Sequence, residues 1–561
     1  MQELQISDEQ KAKNWWALGD TPVHNDSRVT YLVDGRTAML TMCHHFLKAK
    51  KYIYLANWGL TASMSIVRGT DHRAGPDGSS EQEALIAELR AEGLQDADIE
   101  FWCNHELTVQ TVLGYAVSKG VEVKALIWKA SPVFAKCDVE ETYEQLEAVH
   151  VDTILDDSSF GILHHPVESL HQKITVVDGT YAFVGGVDLL IENSGDFDRW
   201  DTPTHAFINP LRHTDEGTTP HPWHDTHALI EGPAAADVEL DFRQRWNDVV
   251  HRHHLDKKGS VSEHPLPQPL ESKTVVQLAR TVPEHTYHFQ PVVSQGIAQF
   301  YANALSNIER FIYLENQYFW LRAYTGIDVP FVGGESGEME KNLRELGNAL
   351  ERGAAVSIIL PDHPNVGRAF SDAGITQLRN ESPEAVEEGR FEAFCLATSN
   401  REGDTTHYRP VYVHAKVAIV DDVWTTVGSA NLNNRGMRDD IEMNVATLDA
   451  ELAHGLRLTL QAEHLGLATT DDLFALSRFF GHQHQSQLER DHARHVQDTL
   501  EDMIGDPLFA LRMMHNSAWE NLRRFKAKLP LIGHLLPYLT ADEAADQGLQ
   551  VREDHGWIEE E

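Results

Sequence analysis

Four cysteines in 561 residues are too few for a disulfide framework, and Cys43, Cys103, Cys137 and Cys395 stand too far apart for a metal cluster. They read as free thiols in a chain made in a reducing compartment. Long apolar runs are missing as well. None approaches the ~20 residues needed to cross a bilayer. The opening Met1-Gln-Glu-Leu-Gln-Ile-Ser-Asp8 has neither the basic nor the apolar region of a signal peptide. Positive charge is scarce: 47 Lys and Arg stand against 86 Asp and Glu, a net charge of −39. That excess opposes binding to nucleic acid and to strongly anionic surfaces. No dense basic cluster of the kind that recruits a phosphoinositide is found; Lys48, Lys50 and Lys51 come nearest and read as a helix end. A hydrophobic content of 42% still supplies core for a soluble globular chain of two to four domains' worth.

What is present is a stretch that occurs twice. His171-Gln-Lys-Ile-Thr-Val-Val-Asp178 is followed by Gly185-Gly186-Val-Asp188, and His414-Ala-Lys-Val-Ala-Ile-Val-Asp421 by Gly428-Ser429-Ala-Asn431. Residues i and i+2 of a strand face the same side, so His171 projects with Lys173 and His414 with Lys416. The apolar run after each Lys fits a buried strand, and Asp178-Gly179 and Asp421-Asp422 fit hairpin turns. Two such hairpins facing each other would gather two imidazoles and two ammonium groups around one pocket. That set suits a phosphodiester. The Lys charges hold non-bridging oxygens, one His attacks phosphorus, and the other protonates the leaving oxygen. One H-x-K-x4-D arises easily by chance; two copies with the same strand and the same glycine turn do not.

The surroundings repeat too. Patterns over 36–51, 82–93 and 106–119 predict helices, and Lys51–Trp58 and Gly120–Trp128 predict strands. In the second half a helical pattern over 294–308 leads to strands at Arg310–Phe319 and Gly353–Leu360. The expected fold class is α/β: two similar lobes from an internal duplication, each a mixed β-sheet flanked by helices. The expected boundaries are an N-terminal lobe over 1–255, a linker over 256–273, a C-terminal lobe over 274–470 and a helical extension over 471–561. The linker is marked by Lys257-Lys-Gly-Ser260 and Pro265-Leu-Pro-Gln-Pro269. In the extension, apolar Leu529–Leu539 either packs on its own protein or forms an edge that meets lipid. Glu559–Glu561 reads as a solvated tail.

The duplicated motif resembles that of the phospholipase D superfamily. Further segments resemble its eukaryotic-type branch: Gly185-Gly186-Val-Asp188-Leu, Asp198-Arg-Trp-Asp201-Thr, Pro222-Trp-His-Asp225, Phe242-Arg-Gln-Arg-Trp-Asn247, Tyr313-Leu-Glu-Asn-Gln-Tyr-Phe319 and Arg457–Gly466. The likeness runs over roughly 30–470. Lipid-targeting modules that precede the catalytic part in many eukaryotic members are not found, so the chain looks like a stand-alone, bacterial-like form. Two departures stand out. Gly186 and Asp188 replace the Ser and Asn of the wider superfamily, as that branch tolerates, and Gly436 stands where a Ser is frequent.

The resemblance implies His171 as the nucleophile that forms a phosphohistidine, with His414 as general acid and then as base for water. Chemistry alone does not choose between the two. Lys173, Lys416, Asn431 and Asp188 are expected around the phosphate, with Ser429 in support. Asp201 and Glu442 are nominated to fix the imidazole tautomers, and which serves which His stays open. Asp178 and Asp421 are expected to brace their turns without touching substrate. No metal or cofactor is expected to take part in the chemistry. Calcium as an aid to lipid binding is left open and is not expected. His221-Pro-Trp-His224-Asp225-Thr-His227 could be drawn as a metal site, but the resemblance makes it pocket wall. His251-Arg-His-His254 reads as a solvated helix end.

The implied activity is hydrolysis of the distal phosphodiester of a glycerophospholipid to phosphatidate and head-group alcohol, with other alcohols able to replace water. The expected partner is a phospholipid at a membrane or micelle surface, not nucleic acid, and the expected state is a monomer. A bell-shaped pH–rate profile follows from one neutral and one charged His. Rival readings are a cardiolipin synthase-like transferase, a nuclease of the superfamily, which the acidic charge disfavours, and a non-enzymatic lipid-binding relative. The last would be expected to lack a His or Lys that is present here. A chain made in the cytoplasm without a signal peptide and touching membranes peripherally also leaves open export as a type VI secretion effector with an immunity partner. The preferred head group is expected to be set by loops at 130–160, 322–342 and 362–400.

Overall fold

The protein is described from a computed structural model over residues 6–19, 21–72, 80–130, 135–159, 168–213, 220–320, 337–552 and 556–558. The first half supplies strands β1 (Arg28–Val33), β2 (Tyr52–Asn57), β3 (Glu122–Trp128), β4 (Asp152–Asp156), β5 (Lys173–Val177), β6 (Tyr181–Gly185), the two-residue β7 (Trp223–His224) and β8 (Thr226–Glu231). All but β7 form one sheet in the order β1-β8-β6-β5-β2-β3-β4. The second half supplies β9 (Val275–Val282), β10 (Ser294–Gln295), β11 (Phe311–Glu315), β12 (Ala355–Ile359), β13 (Phe391–Glu402), β14 (Thr405–Val413), β15 (Val417–Val420), β16 (Trp424–Gly428) and β17 (Glu442–Leu448), and the C-terminal region adds β18 (Leu535–Pro537). Their sheet runs β10-β9-β17-β16-β15-β11-β12-β13-β14-β7, with β18 paired to β13.

Seven strands of the second sheet, β9-β17-β16-β15-β11-β12-β13, repeat the order of the first strand for strand. The motif hairpins β5–β6 and β15–β16 sit at the same place in both. Their sequences, Lys-Ile-Thr-Val-Val and Val-Ala-Ile-Val, are β-branched and buried at every position, as strands covered on both faces require. The alternation of β2 shows the two layers. Tyr52, Tyr54 and Ala56 pack with Phe242 and Trp246 of helix Ala235–Arg252, while Ile53 and Leu55 pack with Met39 and Phe46 of helix Asp34–Lys48. The first of these cores continues through Val176, Val417, Ile419 and Val445, so it joins the two lobes.

Several boundaries differ from expectation. Trp15 stacks on Trp424 of β16, and Ala17 and His24 bond to Gln277 and Val276 of β9, so the N-terminal segment belongs to the second lobe. The strand β7 also leaves the first lobe to pair with β14. Residues 259–273 hold no regular element. An additional helix, Asp96–Asn104, opens with a capping box between Gln95 and Asp98. The stretches 130–160 and 362–400 are not mainly loops. The first holds helix Val139–Ala148 and β4, and the second holds helix Arg368–Glu381, whose buried Ser371, Gly374, Ile375 and Leu378 recur at helical spacing. Residues 321–336, most of the remaining expected loop, and the acidic end 559–561 lie outside the described residues. The C-terminal region is mainly helical and adds β18, where Leu535 and Leu536 are buried against β13; the second part of the apolar stretch, 535–539, thus packs on its own protein, while Leu529 and Ile532 are exposed. No helix among the described residues is long and apolar enough to cross a membrane. The four cysteines are free.

Candidate active site

Each motif histidine precedes its strand and is pinned by the opposite lobe. The His171 N–H donates to the Ile441 carbonyl (2.9 Å), and the His414 N–H donates to the His224 carbonyl (2.8 Å). In both cases the next residue is a carboxylate, and it meets the imidazole. His171 Nδ1 lies 2.9 and 3.1 Å from the two oxygens of Glu442. His414 Nδ1 lies 2.7 Å from Asp225 Oδ2. A carboxylate on Nδ1 holds the proton there and leaves the Nε2 lone pair free. The two rings face each other with centroids 6.4 Å apart. Both line a cavity of about 440 Å³.

The register explains why Asp225 and Glu442 play matching parts. Gly185 pairs with His227 across β6–β8, and Gly428 pairs with Asn444 across β16–β17. Two residues before each paired partner stands the carboxylate. The nominated Asp201 therefore does not hold that position and touches neither motif histidine. It is fully buried and accepts from Arg212 (2.9 and 3.0 Å), the Trp223 N–H (2.9 Å) and His205. Burial opposes its charge, but Arg212 and His205 draw it down to about 2. Asp225, in the Pro-Trp-His-Asp segment, holds that position, because strand order and not residue count from the motif sets the match between the lobes.

Lys173 and Lys416 are fully buried, and each donates to the carbonyl of its own histidine. Asp188 was expected beside the phosphate. Instead it lies 3.2 Å from Lys173 Nζ and accepts from the Gly59 N–H, so it braces the lysine. Asn431, three residues past the glycine as Asp188 is, does line the cavity; its Nδ2 and the Lys416 Nζ both donate to Gln317 Oε1. The Ser429 hydroxyl donates to Glu442, and its oxygen accepts from the Met443 N–H. Gly436 cannot carry a side chain, since a Cβ would meet the Asn431 carbonyl at 2.2 Å. Asp178 accepts from the N–H groups of Lys50, Lys51 and Tyr52, and Asp421 from those of Glu309, Arg310 and Phe311. Each turn is thus tied to the start of the neighbouring strand, at the end of its hairpin away from the histidine.

Burial, with Lys173 and Lys416 adding to it, pushes His171 well below the ordinary histidine range. His414 is pushed down for the same reasons. Burial pushes Glu442 up, with Asp440 adding to it, against the pull of Lys173 and the Ser429 hydroxyl. Lys416 is lowered to about 7, first by burial and then by Lys173, although Asp225 and Glu442 oppose the shift. Both imidazoles are thus pushed toward the neutral form beside two buried ammonium groups.

Trp223, in the stretch expected as pocket wall, supplies an aromatic face. Trp58, Trp128, Tyr318 and Tyr412, to which the sequence reading gave no part in the site, supply others. Arg199 stacks 3.7 Å over Trp223 and donates to Glu192 at 2.6 Å, while its buried Nε and Nη1 have no hydrogen-bond partner among the described residues. Arg435 is held by both oxygens of Asp440 (2.8 and 3.1 Å). Lys136, Asn365 and Val366 reach the cavity from the stretches expected to set the head group.

A match to the family described as "Phospholipase D" spans residues 45–328, and one described as "Cardiolipin synthase, PLD-like domain" spans 327–462. "Phospholipase D alpha 1" of Zea mays is 26% identical over 547 residues, covering 76% of this chain and 63% of that protein. "Phospholipase D alpha 1" of Carica papaya is 25% identical with the same coverage. The chain thus spans a little under two thirds of the length of these relatives. Among solved structures, the phosphatidylserine synthase of Haemophilus influenzae Rd KW20 aligns over 91% of this chain and 97% of its own, with a TM-score of 0.46 and 12% identity.

Proposed function

The chain belongs to the phospholipase D superfamily, and from that premise we propose that it cleaves the distal phosphodiester of a glycerophospholipid, releasing phosphatidate and the head-group alcohol. The observation that carries this reading is the facing pair His171 and His414, each with a carboxylate on Nδ1 and its other nitrogen left to one cavity. In the proposed reaction the neutral His171 Nε2 attacks phosphorus. The bond from phosphorus to the head-group oxygen breaks, and His414, having taken up a proton on Nε2 as the anionic phosphate binds beside it, gives that proton to the oxygen, so the alcohol leaves neutral. The phosphatidyl group remains on His171. Water then enters, His414 takes its proton, the new P–O bond forms and the P–N bond breaks. Lys173 and Lys416 offset the charge that builds on the non-bridging oxygens, and Asn431 donates to them. Glu442 and Asp225 position the rings and stabilise the imidazolium that forms.

A second reading follows from the cardiolipin synthase-like match over the second motif: an alcohol, not water, resolves the phosphoenzyme in use. One experiment tests both. Choline release from phosphatidylcholine mixed micelles is followed with and without ethanol or glycerol, for wild type, His171→Ala and His414→Ala. Choline release lost in both variants, with phosphatidyl-alcohol formed by wild type, is the expected result. Folded wild-type protein that releases no head group from phosphatidylcholine, phosphatidylethanolamine or phosphatidylglycerol would falsify the reading and favour a lipid-binding relative.

A further inference from the structure

Besides the reacting groups, the cavity is lined by the charged side chains Lys136, Glu192, Arg199, Arg435 and Asp440. They fall on two sides. Beside His171, Arg435 donates to Ser169, two residues before that histidine, at 3.3 Å. Both Asp440 oxygens hold the same guanidinium at 2.8 and 3.1 Å, so its charge is answered there. The other three stand beside His414. The Trp223 ring lies 4.8 Å from the His414 ring, centroid to centroid, and Arg199 stacks on Trp223 at 3.7 Å. Glu192 Oε1 accepts from Arg199 at 2.6 Å, and its Oε2 lies 3.7 Å from Lys136 Nζ. Two cations thus share one carboxylate, and this corner of the cavity keeps one positive charge in excess.

Displacement at phosphorus sets the entering and leaving atoms roughly in line. With His171 entering, the head-group oxygen departs toward His414, and the head group occupies the corner of Arg199, Glu192 and Trp223. Two features of that corner bear on what it accepts. Arg199 is 3% exposed, and its Nε and Nη1 have no hydrogen-bond partner among the described residues. Buried donors left unanswered are costly, and an acceptor on a ligand removes the cost. The aromatic surface is the second feature. A quaternary ammonium is held by open aromatic faces. Here the Trp223 ring already carries Arg199 at 3.7 Å and, nearly parallel, the Tyr412 ring at 4.6 Å. The place a choline cation would take is filled by a guanidinium.

We propose that Arg199 and Glu192 set the head-group choice, favouring a head group with no net positive charge and an oxygen acceptor, as in glycerol or serine, over the cations choline and ethanolamine. The inference rests on the phosphatidyl transfer proposed above. Arg199 donates from Nε and Nη1 to the head-group hydroxyl or carboxylate, and Glu192 holds the guanidinium in place through Nη2. Choline lipids are turned over too, but more slowly, because their cation meets a corner that is already positive. The same corner receives the alcohol that resolves the phosphoenzyme. Its oxygen bonds to phosphorus, His414 takes its proton, and the bond from phosphorus to His171 breaks. Glycerol should therefore also outcompete choline as the incoming alcohol.

The test measures phosphatidate formed by the whole chain from dihexanoyl lipids with glycerol, serine, choline or ethanolamine head groups. The lipids are kept below their micelle concentration, so that surface charge takes no part. The kcat/KM for the glycerol or the serine lipid is expected to exceed that for the choline lipid by about tenfold or more. A lead for glycerol alone identifies a hydroxyl as the acceptor, and a lead for serine alone a carboxylate; either supports the proposal. Arg199→Gln should bring the ratio toward one and Glu192→Gln should raise it, opposite changes that a general loss of structure does not produce. The wild-type ratio needs no variant to fold. A choline lipid that equals or leads both others overturns the proposal, as does a ratio left in place by Arg199→Gln. Phosphatidate from none of the four lipids overturns the phospholipase reading, and this inference with it.

Discussion

The two halves of the cavity share one plan and differ in charge. In the first, Lys173 meets the carboxylate of Asp188 at 3.2 Å. In the second, neutral Asn431 stands at the matching place, and besides the His414 carbonyl Lys416 meets the Gln317 amide oxygen at 3.3 Å. Lys416 is the ammonium lowered to about 7. The carboxylates differ as well. Glu442 receives the Ser429 hydroxyl, whereas Asp225 is approached by Gly186 and receives the Thr226 N–H at 2.8 Å and the Trp223 indole at 3.3 Å. Duplication has kept the hydrogen-bonded frame of each imidazole and let the charge around it diverge. A reaction that asks one His to attack and the other to move protons gains from such inequality.

The largest effects should come from the imidazoles themselves. His171→Ala and His414→Ala should each lower kcat by about 10³-fold or more. With a substrate bearing a good leaving group, His414→Ala should still accumulate a phosphoenzyme and His171→Ala should not; the reverse pattern would exchange the two roles. Next come the positioning carboxylates. Asp225→Asn and Glu442→Gln should cut kcat by roughly 10²–10⁴-fold with little change in KM, because the wrong tautomer is offered to the cavity. Asp201→Asn should act on stability and leave the pH profile of the remaining activity in place, and a profile displaced as in Asp225→Asn would restore Asp201 to the site.

Smaller effects probe the unequal neighbours. A Cβ at Gly186 would stand 2.0 Å from Asp225 Oδ1, so Gly186→Ser should displace that carboxylate and cost more activity than Ser429→Gly. The latter removes one hydrogen bond to Glu442, a loss of about 1–2 kcal/mol in stability, measurable by denaturant titration. Equal costs would mean that the half-sites are interchangeable. The mildest change concerns pH. Lys416 is cationic below about 7 and neutral above it, because burial and Lys173 lower it. An anionic phosphodiester binds the cationic form, so kcat/KM should fall as pH rises through about 7. In Lys416→Arg, which stays charged, that limb should move to higher pH with a lower maximum. A limb that stays near 7 in this variant would assign it to another group. The acid limb belongs to His171, held well below the ordinary histidine range, so activity should persist into mildly acid solution before falling.

Much of the frame could be read in the chain before its folding was known. Alternation in β2 and β11, apolar runs in β5 and β15 and the two glycine turns are local patterns, and the sheets repeat them in the expected order. The carboxylates were harder. Asp201 and Glu442 stand at similar counts after their motifs, yet the first lobe carries a long excursion between Leu189 and Pro222 that places Asp225, not Asp201, at the matching point of the sheet. Helix Arg368–Glu381 was passed over although its buried positions recur every three or four residues. The short strands β7 and β18 have no periodicity to read, since two or three residues carry none, and each is made by pairing with a distant strand.

The chain alone therefore singles out the residues proposed to do the chemistry: two imidazoles and two ammonium groups, each pair two residues apart, on hairpins whose apolar sequences demand burial. It does not settle how they are tuned. His171 takes its partner from 271 residues away and His414 from 189 residues away, each across the meeting of the lobes. Local propensity acts over a turn or a strand, whereas orientation of a buried ring and lowering of a buried ammonium depend on which distant surfaces exclude water together. Those are properties of the packed lobes, and they come into being only when the two sheets close on each other.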